Sequence, residues 1–157
     1  MALRIGDAAP DFDVVAHDGT RLQLSAFRGQ KNVVLYFYPK DFTLVCTKEA
    51  CGFRDMYEEL VGADTEVIGV SVDSDESHGR FAKQHGVGFP LVADPKKELA
   101  TKYGATSPLR DLLGATKRIT YVIDKTGKIA GIFDSQIRAG QHLEGVRGAV
   151  AALSRSA

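Results

Sequence analysis

The chain has 157 residues and a mass of 17.0 kDa, a length typical of one domain spanning 1–157. With 44% hydrophobic and 25% charged residues it has an ordinary globular composition. Twenty basic side chains balance twenty acidic ones, which removes the broad electrostatic case for nucleic acid or an anionic membrane as the main partner. No apolar run reaches the ~18 residues of a membrane span, and the N-terminal stretch Met1 to Pro10 lacks the apolar core of a secretory signal. Two cysteines are too few for a disulfide-stapled scaffold, so a cytoplasmic protein with free thiols is expected.

In chain order, Phe12–Val15 and Leu22–Leu24 read as short strands. Val33–Tyr38 is a continuous β-branched and aromatic run stopped by Pro39, suited to a strand buried on both faces. Thr47–Leu60 has helical spacing, with Cys51, Met56 and Leu60 opposite a charged face. Glu66–Val72 is a second buried strand. Ser74–His85 is a helix opened by Ser and Asp residues suited to capping. Lys97–Tyr103 is a further helix. Ile119–Ile123 and Lys128–Phe133 flank the turn Asp124-Lys-Thr-Gly127 as a hairpin, and Leu143–Leu153 closes the chain as a helix. The order β-α-β-α-(α)-β-β-α combines a parallel pair with an antiparallel one. It predicts an α/β domain with a mixed central sheet covered by helices on both faces, the layout of a thioredoxin-like fold.

Chemistry concentrates after the first buried strand, in Tyr38-Pro39-Lys40-Asp41-Phe42-Thr43-Leu44-Val45-Cys46-Thr47-Lys48-Glu49-Ala50-Cys51. A loop leaving the carboxyl end of a strand and entering a helix is where α/β folds place ligands. A cysteine in a first helical turn meets unpaired backbone N–H groups and the positive end of the helix dipole, both of which favour a thiolate. The hydroxyl of Thr43 can hydrogen-bond that sulfur or an oxygen near it, and Pro39 stiffens the loop. A lone apolar-context cysteine is ordinarily a small core residue; Pro39, Thr43 and the strand–loop–helix setting argue against that for Cys46.

The element Pro39-x-x-x-Thr43-x-x-Cys46 resembles the signature of the peroxiredoxins, thiol peroxidases on the thioredoxin fold. Gly6 to Phe12, Phe81 to His85, Phe89 to Asp94 and Arg118 to Asp124 are similar to other blocks of that family. Tyr38-Pro39-Lys40-Asp41, and Cys51 five residues after Cys46, resemble the Q or bacterioferritin-comigratory subfamily, which usually carries Pro-Gly where this chain has Leu44-Val45. The resemblance implies that Cys46 is the peroxidatic thiol and that Thr43 orients the peroxide. Arg118 would hold thiolate and peroxide, and Glu49 would orient that arginine unless it is a solvated helix residue. Lys40 and Asp41 would shape the loop. It implies reduction of hydrogen peroxide and organic hydroperoxides, recycling by thioredoxin or a similar thiol reductant, no cofactor or metal, and a monomer or homodimer.

Cys51 matches the subfamily's resolving cysteine, which closes a disulfide with Cys46. On an ideal helix the two Cα atoms lie about 8–9 Å apart, beyond the ~7 Å that a bridge spans without backbone movement, so the first turns would have to unwind. The alternative is a core thiol in a one-cysteine peroxidase. Gly86-Val87-Gly88 is too short for a dinucleotide fingerprint, and Cys-x-x-Cys is absent. A different class, a thioredoxin-like copper metallochaperone using Cys46, Cys51 and His142, is disfavoured by the four residues between the cysteines.

Overall fold

The computed structural model describes residues 3–41, 43–106, 117–134 and 139–156. Its strands are β1 (Asp13–Val15), β2 (Arg21–Gln23), β3 (Asn32–Phe37), β4 (Thr65–Ser71), β5 (Leu91–Ala93), β6 (Ile119–Ile123) and β7 (Ile129–Phe133). Its helices are α1 (Leu44–Gly62), α2 (Asp75–His85), α3 (Glu98–Lys102) and α4 (Ala139–Ser156), with a 3-10 turn at Leu24–Phe27. Five strands form one sheet in the order β5-β4-β3-β6-β7. β3, β4 and β5 run parallel, while β6 and β7 complete the sheet antiparallel. β1 and β2 pair separately, Val14 opposite Leu22.

All six residues of β3 are buried, which explains its unbroken apolar run. Side chains on a strand alternate between faces. Val33, Leu35 and Phe37 pack with Phe12, Leu22, Leu24, Leu99 and Tyr103. Val34 and Tyr36 pack on the other face with Phe53, Phe81, Val146 and Val150, from α1, α2 and α4. Each such side chain contributes about 1.5–3 kcal/mol on full burial, so the sheet is held from both sides. Close approach is built in at Gly69 of β4, where a Cβ would lie 2.8 Å from Leu91 Cδ2 and 2.9 Å from the Tyr36 ring.

The strand assignments at β3, β4, β6 and β7 agree with the sequence to within a residue at their starts and ends. Three differences stand out. β5 follows Gly86-Val87-Gly88, where a strand is expected but without bounds, because three residues are too few for a periodic signal; its pairing to β4 sets them. α1 starts at Leu44 rather than Thr47, so Cys46 is its third residue, within the first turn. α4 begins at Ala139, four residues before the apolar spacing does.

Candidate active site

The site grows from the carboxyl end of β3. Tyr38 still bonds to the sheet through its N–H to Val70 O at 3.0 Å. Pro39, which has no N–H to give, is buried at the bend that ends the strand. Thr43 follows in an extended conformation (φ −81, ψ 153) as the N-cap of α1, but its hydroxyl does not cap the helix. It donates instead to Lys40 O at 3.1 Å, tightening the 40–43 loop. Thr43 and Lys40 are exposed, and Cys46 is 1% exposed. Cys46 is the third residue of α1, among the N–H groups that no helical carbonyl can satisfy.

Arg118 Nη2 donates to Cys46 Sγ at 3.2 Å across 72 residues of sequence. Strand register explains the meeting. β6 pairs antiparallel to β3 with Ile119 opposite Phe37. Arg118, one residue before β6, therefore emerges beside the loop that follows β3. It is 6% exposed, so its charge acts in a partly desolvated setting.

Glu49, one turn along α1, is 0% exposed and is not the solvated glutamate that its helix position allowed. Its Oε1 lies 3.5 Å from Arg118 Nη1. Burial pushes its carboxyl up to about 7, with Arg118 pulling the other way. On its far side, Oε2 lies 3.6 Å from His142 Nε2 of α4, which also contacts Thr120 Oγ1. Burial, and then the Arg118 charge, lower His142 to about 4. The imidazole is consequently neutral wherever Glu49 titrates, and their contact is not an ion pair near neutrality. His142, raised above as a copper ligand, is thus separated from Cys46 by Arg118 and Glu49.

A second buried network fixes the loop. Asp41 accepts from Tyr38 Oη at 2.6 Å and Ser77 Oγ at 2.9 Å, and its Oδ2 lies 2.9 Å from His78 Nδ1. The backbone N–H of Asp41 donates to Asp73 Oδ2 at 2.8 Å. His78 Nε2 lies 3.2 Å from Val92 O. The ligand atoms of Asp41, Asp73 and His78 come within 4.8 Å of one another, yet these hydrogen bonds already engage them, so the cluster anchors the loop rather than forming an open metal site. Asp41 thus has the loop-shaping part expected of it. His78 was missed as its partner. The available signal was its place at the fourth position of α2, on the same buried face as Phe81 and Ala82.

Burial would raise the Asp41 carboxyl, but the hydrogen bonds from His78, Tyr38 and Ser77 outweigh it and hold the group below its ordinary value. A depressed carboxylate contributes stability above its unfolded value, about 3.9, and loses it as pH falls through the folded one. Asp41→Asn is expected to cost about 1–3 kcal/mol near neutrality by leaving buried partners unsatisfied. Urea midpoints should show the gap to wild type narrowing below about pH 4; a constant gap would show that the carboxylate charge is not what the network uses.

Cys51 is half-buried further along α1, and both thiols are free. The next residue, Gly52, is where α4 touches this stretch: a Cβ there would lie 2.1 Å from Leu143 Cδ1.

A buried thiol in a first helical turn, faced by an arginine and backed by a carboxylate, suits nucleophilic attack on an electrophilic oxygen. The profile of the AhpC/TSA family matches residues 5–132 of the chain. The chain belongs to the AhpC/TSA family. Within it, peroxiredoxin Q of Sedum lineare, a chloroplastic protein, is 41% identical over 140 residues, 88% of this chain and 73% of its own length. Peroxiredoxin Bcp of Bacillus subtilis is 41% identical over 133 residues, 82% of this chain and 83% of that one. The crystal structure of peroxidoxin BcpB from Mycobacterium tuberculosis superposes with a TM-score of 0.87 at 31% identity, covering 96% of this chain and 98% of the other. The protein is a peroxiredoxin of the Q/Bcp kind with the thioredoxin-like fold expected, and its activity is thiol-dependent peroxide reduction. This membership supports the peroxidase reading over the metallochaperone one.

Of the residues singled out in sequence, the structure brings Cys46, Arg118 and Glu49 into one buried cluster. Thr43 stands at the exposed rim of the loop and Pro39 beneath it. Phe42, and the side chains of Leu44 and Val45, lie outside the described residues.

Proposed function

We propose that Cys46 is the peroxidatic thiol and Cys51 its resolving partner, in a peroxidase that reduces hydrogen peroxide and organic hydroperoxides. The observation that carries this reading is the Arg118 Nη2 to Cys46 Sγ hydrogen bond at 3.2 Å. A guanidinium placed there stabilises negative charge on sulfur, and it can also meet charge moving onto the leaving oxygen. The Cys46 thiolate attacks the terminal peroxide oxygen in line. The S–O bond forms as the O–O bond breaks, and the departing oxygen takes up a proton to leave as water or alcohol. Cys46 is then a sulfenic acid. Thr43, at the loop rim, orients the peroxide, and the N–H groups at the start of α1 face the developing charge. Pro39 keeps the loop rigid beneath them.

Cys51 next attacks the Cys46 sulfur and expels water, forming a disulfide that a dithiol such as thioredoxin reduces. The helix sets the condition. Two residues five apart on an intact α1 lie about 8–9 Å apart at Cα, so the first turns must open before the sulfurs meet. Each backbone bond broken costs only about 0.5–1.5 kcal/mol net, which local opening can meet without global unfolding. A working thiol pair of this kind needs a reducing compartment, and we place the protein in the cytoplasm, as a monomer or homodimer; fractionation and sedimentation test these points.

The mechanism is tested by intact mass and hydrogen exchange on reduced and peroxide-treated protein. One equivalent of hydrogen peroxide should remove two hydrogens, peptide mapping should find a Cys46–Cys51 bridge, and amides of residues 46–51 should exchange faster when oxidised. A gain of one oxygen with unchanged exchange would make Cys51 a core thiol and the enzyme a one-cysteine peroxidase.

A further inference from the structure

Among the described residues, six buried side-chain polar atoms have no hydrogen-bond partner in the protein. Five of them belong to three residues in contact: both carboxylate oxygens of Glu49, Nε and Nη1 of Arg118, and Nδ1 of His142. The contrast with the Asp41–His78 network is informative. That network satisfies its members, as a structural network should. The Glu49 network holds its members to one another only by ion-pair contacts of 3.5 and 3.6 Å, short of full hydrogen bonds. Strain of this kind concentrates at functional sites. Two of the three residues already have a place in the peroxidase chemistry. His142 has none.

His142 is 2% exposed and sits on α4, remote in sequence from every other member of the site. Its ring has one nitrogen near partners, Nε2, and one without, Nδ1. A buried N–H without an acceptor is rarer in proteins than a buried lone pair without a donor. We therefore assign the proton to Nε2, which makes that atom a donor between Thr120 Oγ1 and Glu49 Oε2. The 3.6 Å to Glu49 is an electrostatic contact rather than a formed hydrogen bond. The chain of contacts then runs His142, Glu49, Arg118, Cys46.

We propose that His142 is a positioning residue of the peroxidase: its Nε2–H steadies the ionised Glu49 carboxylate, which braces the Arg118 guanidinium against Cys46. The proposal rests on Cys46 being the peroxidatic thiol. Other groups face this pair from each neighbouring element. Cys46 shares α1 with Glu49, and the Tyr36 hydroxyl of β3 is close enough that the Glu49 charge raises its value. Arg118 and Thr120 come from the β6 segment. Asp134, after β7, raises His142 slightly and pairs with Lys117 at 3.1 Å. His142 stays neutral above about 4. Glu49, at about 7, changes charge near neutrality.

The sign follows. A carboxylate that loses a facing donor ionises less readily, so removing the His142 N–H moves Glu49 ionisation to higher pH. If ionised Glu49 braces Arg118, Cys46 oxidation gains a rising limb near pH 7, and that limb shifts upward in the variant. The chain has no tryptophan, so the oxidation step is followed by rapid acid quench and intact mass, with no reductant present. His142→Leu is expected to slow Cys46 oxidation about tenfold at about pH 6, the consequence of a one-unit shift, and to approach wild type at about pH 9. His142→Gln, which keeps an N–H donor, should restore most of the rate at the lower pH. In a Glu49→Gln background His142→Leu should change nothing further. Equal slowing at both pH values, or the same slowing in the Glu49→Gln background, would reduce His142 to a packing residue and overturn the proposal. So would a wild-type profile without a limb near pH 7. Failure of the underlying assignment looks different: wild-type protein would then take up no oxygen, and form no disulfide, at Cys46.

Discussion

Cys46→Ser is expected to bring peroxide turnover down to the uncatalysed background. The serine oxygen keeps the place of the sulfur in the first turn of α1 and can still accept from Arg118, which donates to Sγ at 3.2 Å in the native protein. The fold should therefore persist, with the far-UV circular dichroism and urea midpoint close to wild type. What disappears is the proposed nucleophile. An alcohol at its ordinary acidity is almost wholly protonated at neutral pH, and a peroxide oxygen needs a polarisable anion to attack it. The remaining thiol, Cys51, lies five residues further along the same helix, half-buried and away from Arg118. The cation whose charge couples to Cys51 is Arg54, which is already engaged with Asp55 and His85 O. Steady-state peroxide consumption with a thiol reductant is the measurement, and turnover in Cys46→Ser within an order of magnitude of wild type would move the nucleophile to Cys51.

Arg118→Ala is expected to slow the oxidation step by about 10²–10³-fold, the usual loss on removing one aligned donor from a developing anion. Two effects add. On the proposed mechanism the sulfur loses the guanidinium that stabilises its negative charge, and the leaving oxygen loses the cation that meets it. Alkylation of Cys46 by iodoacetamide at neutral pH should therefore slow together with peroxide oxidation. Arg118→Lys discriminates further. Lysine retains the charge but offers a point rather than a fork of donors. One guanidinium nitrogen faces Sγ and the other faces Glu49 Oε1, at 3.2 and 3.5 Å, and an ammonium serves both poorly. Alkylation should recover more than peroxide oxidation in that variant. Full recovery of both would show that charge alone is needed.

The local part of the structure was legible from side-chain periodicity. Val33 to Tyr38 is apolar without interruption because β3 is buried on both faces in the middle of the sheet. Ser74 announced α2, and its Oγ accepts from Ser77 N at 3.1 Å as a capping residue should. The place of the thiol after β3 was equally readable, since Pro39, Thr43 and Cys46 lie close together in sequence. The bounds of β5 were not readable. Three residues carry no period, and Leu91–Ala93 is a strand because Gly69 to Ser71 of β4 lie beside it. The start of α1 was misjudged for a related reason: Leu44, Val45 and Cys46 have no amphipathic pattern of their own.

By itself, then, the sequence determined the order of the longer elements, the loop that carries Cys46 and the place of the two thiols, because these depend on interactions between residues within a few positions of each other. The assembly of the site was decided by tertiary structure. Arg118 reaches Cys46 because β6 pairs antiparallel with β3 in a register that puts Ile119 opposite Phe37. His142 reaches Glu49 because α4 packs along α1, with Leu143 seated on Gly52. His78 reaches Asp41 because α2 lies over the loop that follows β3. Each contact joins residues more than twenty positions apart. Burial gives such charged and polar groups their strength by removing water, and only the packed sheet and helices determine which of them share a dry interior.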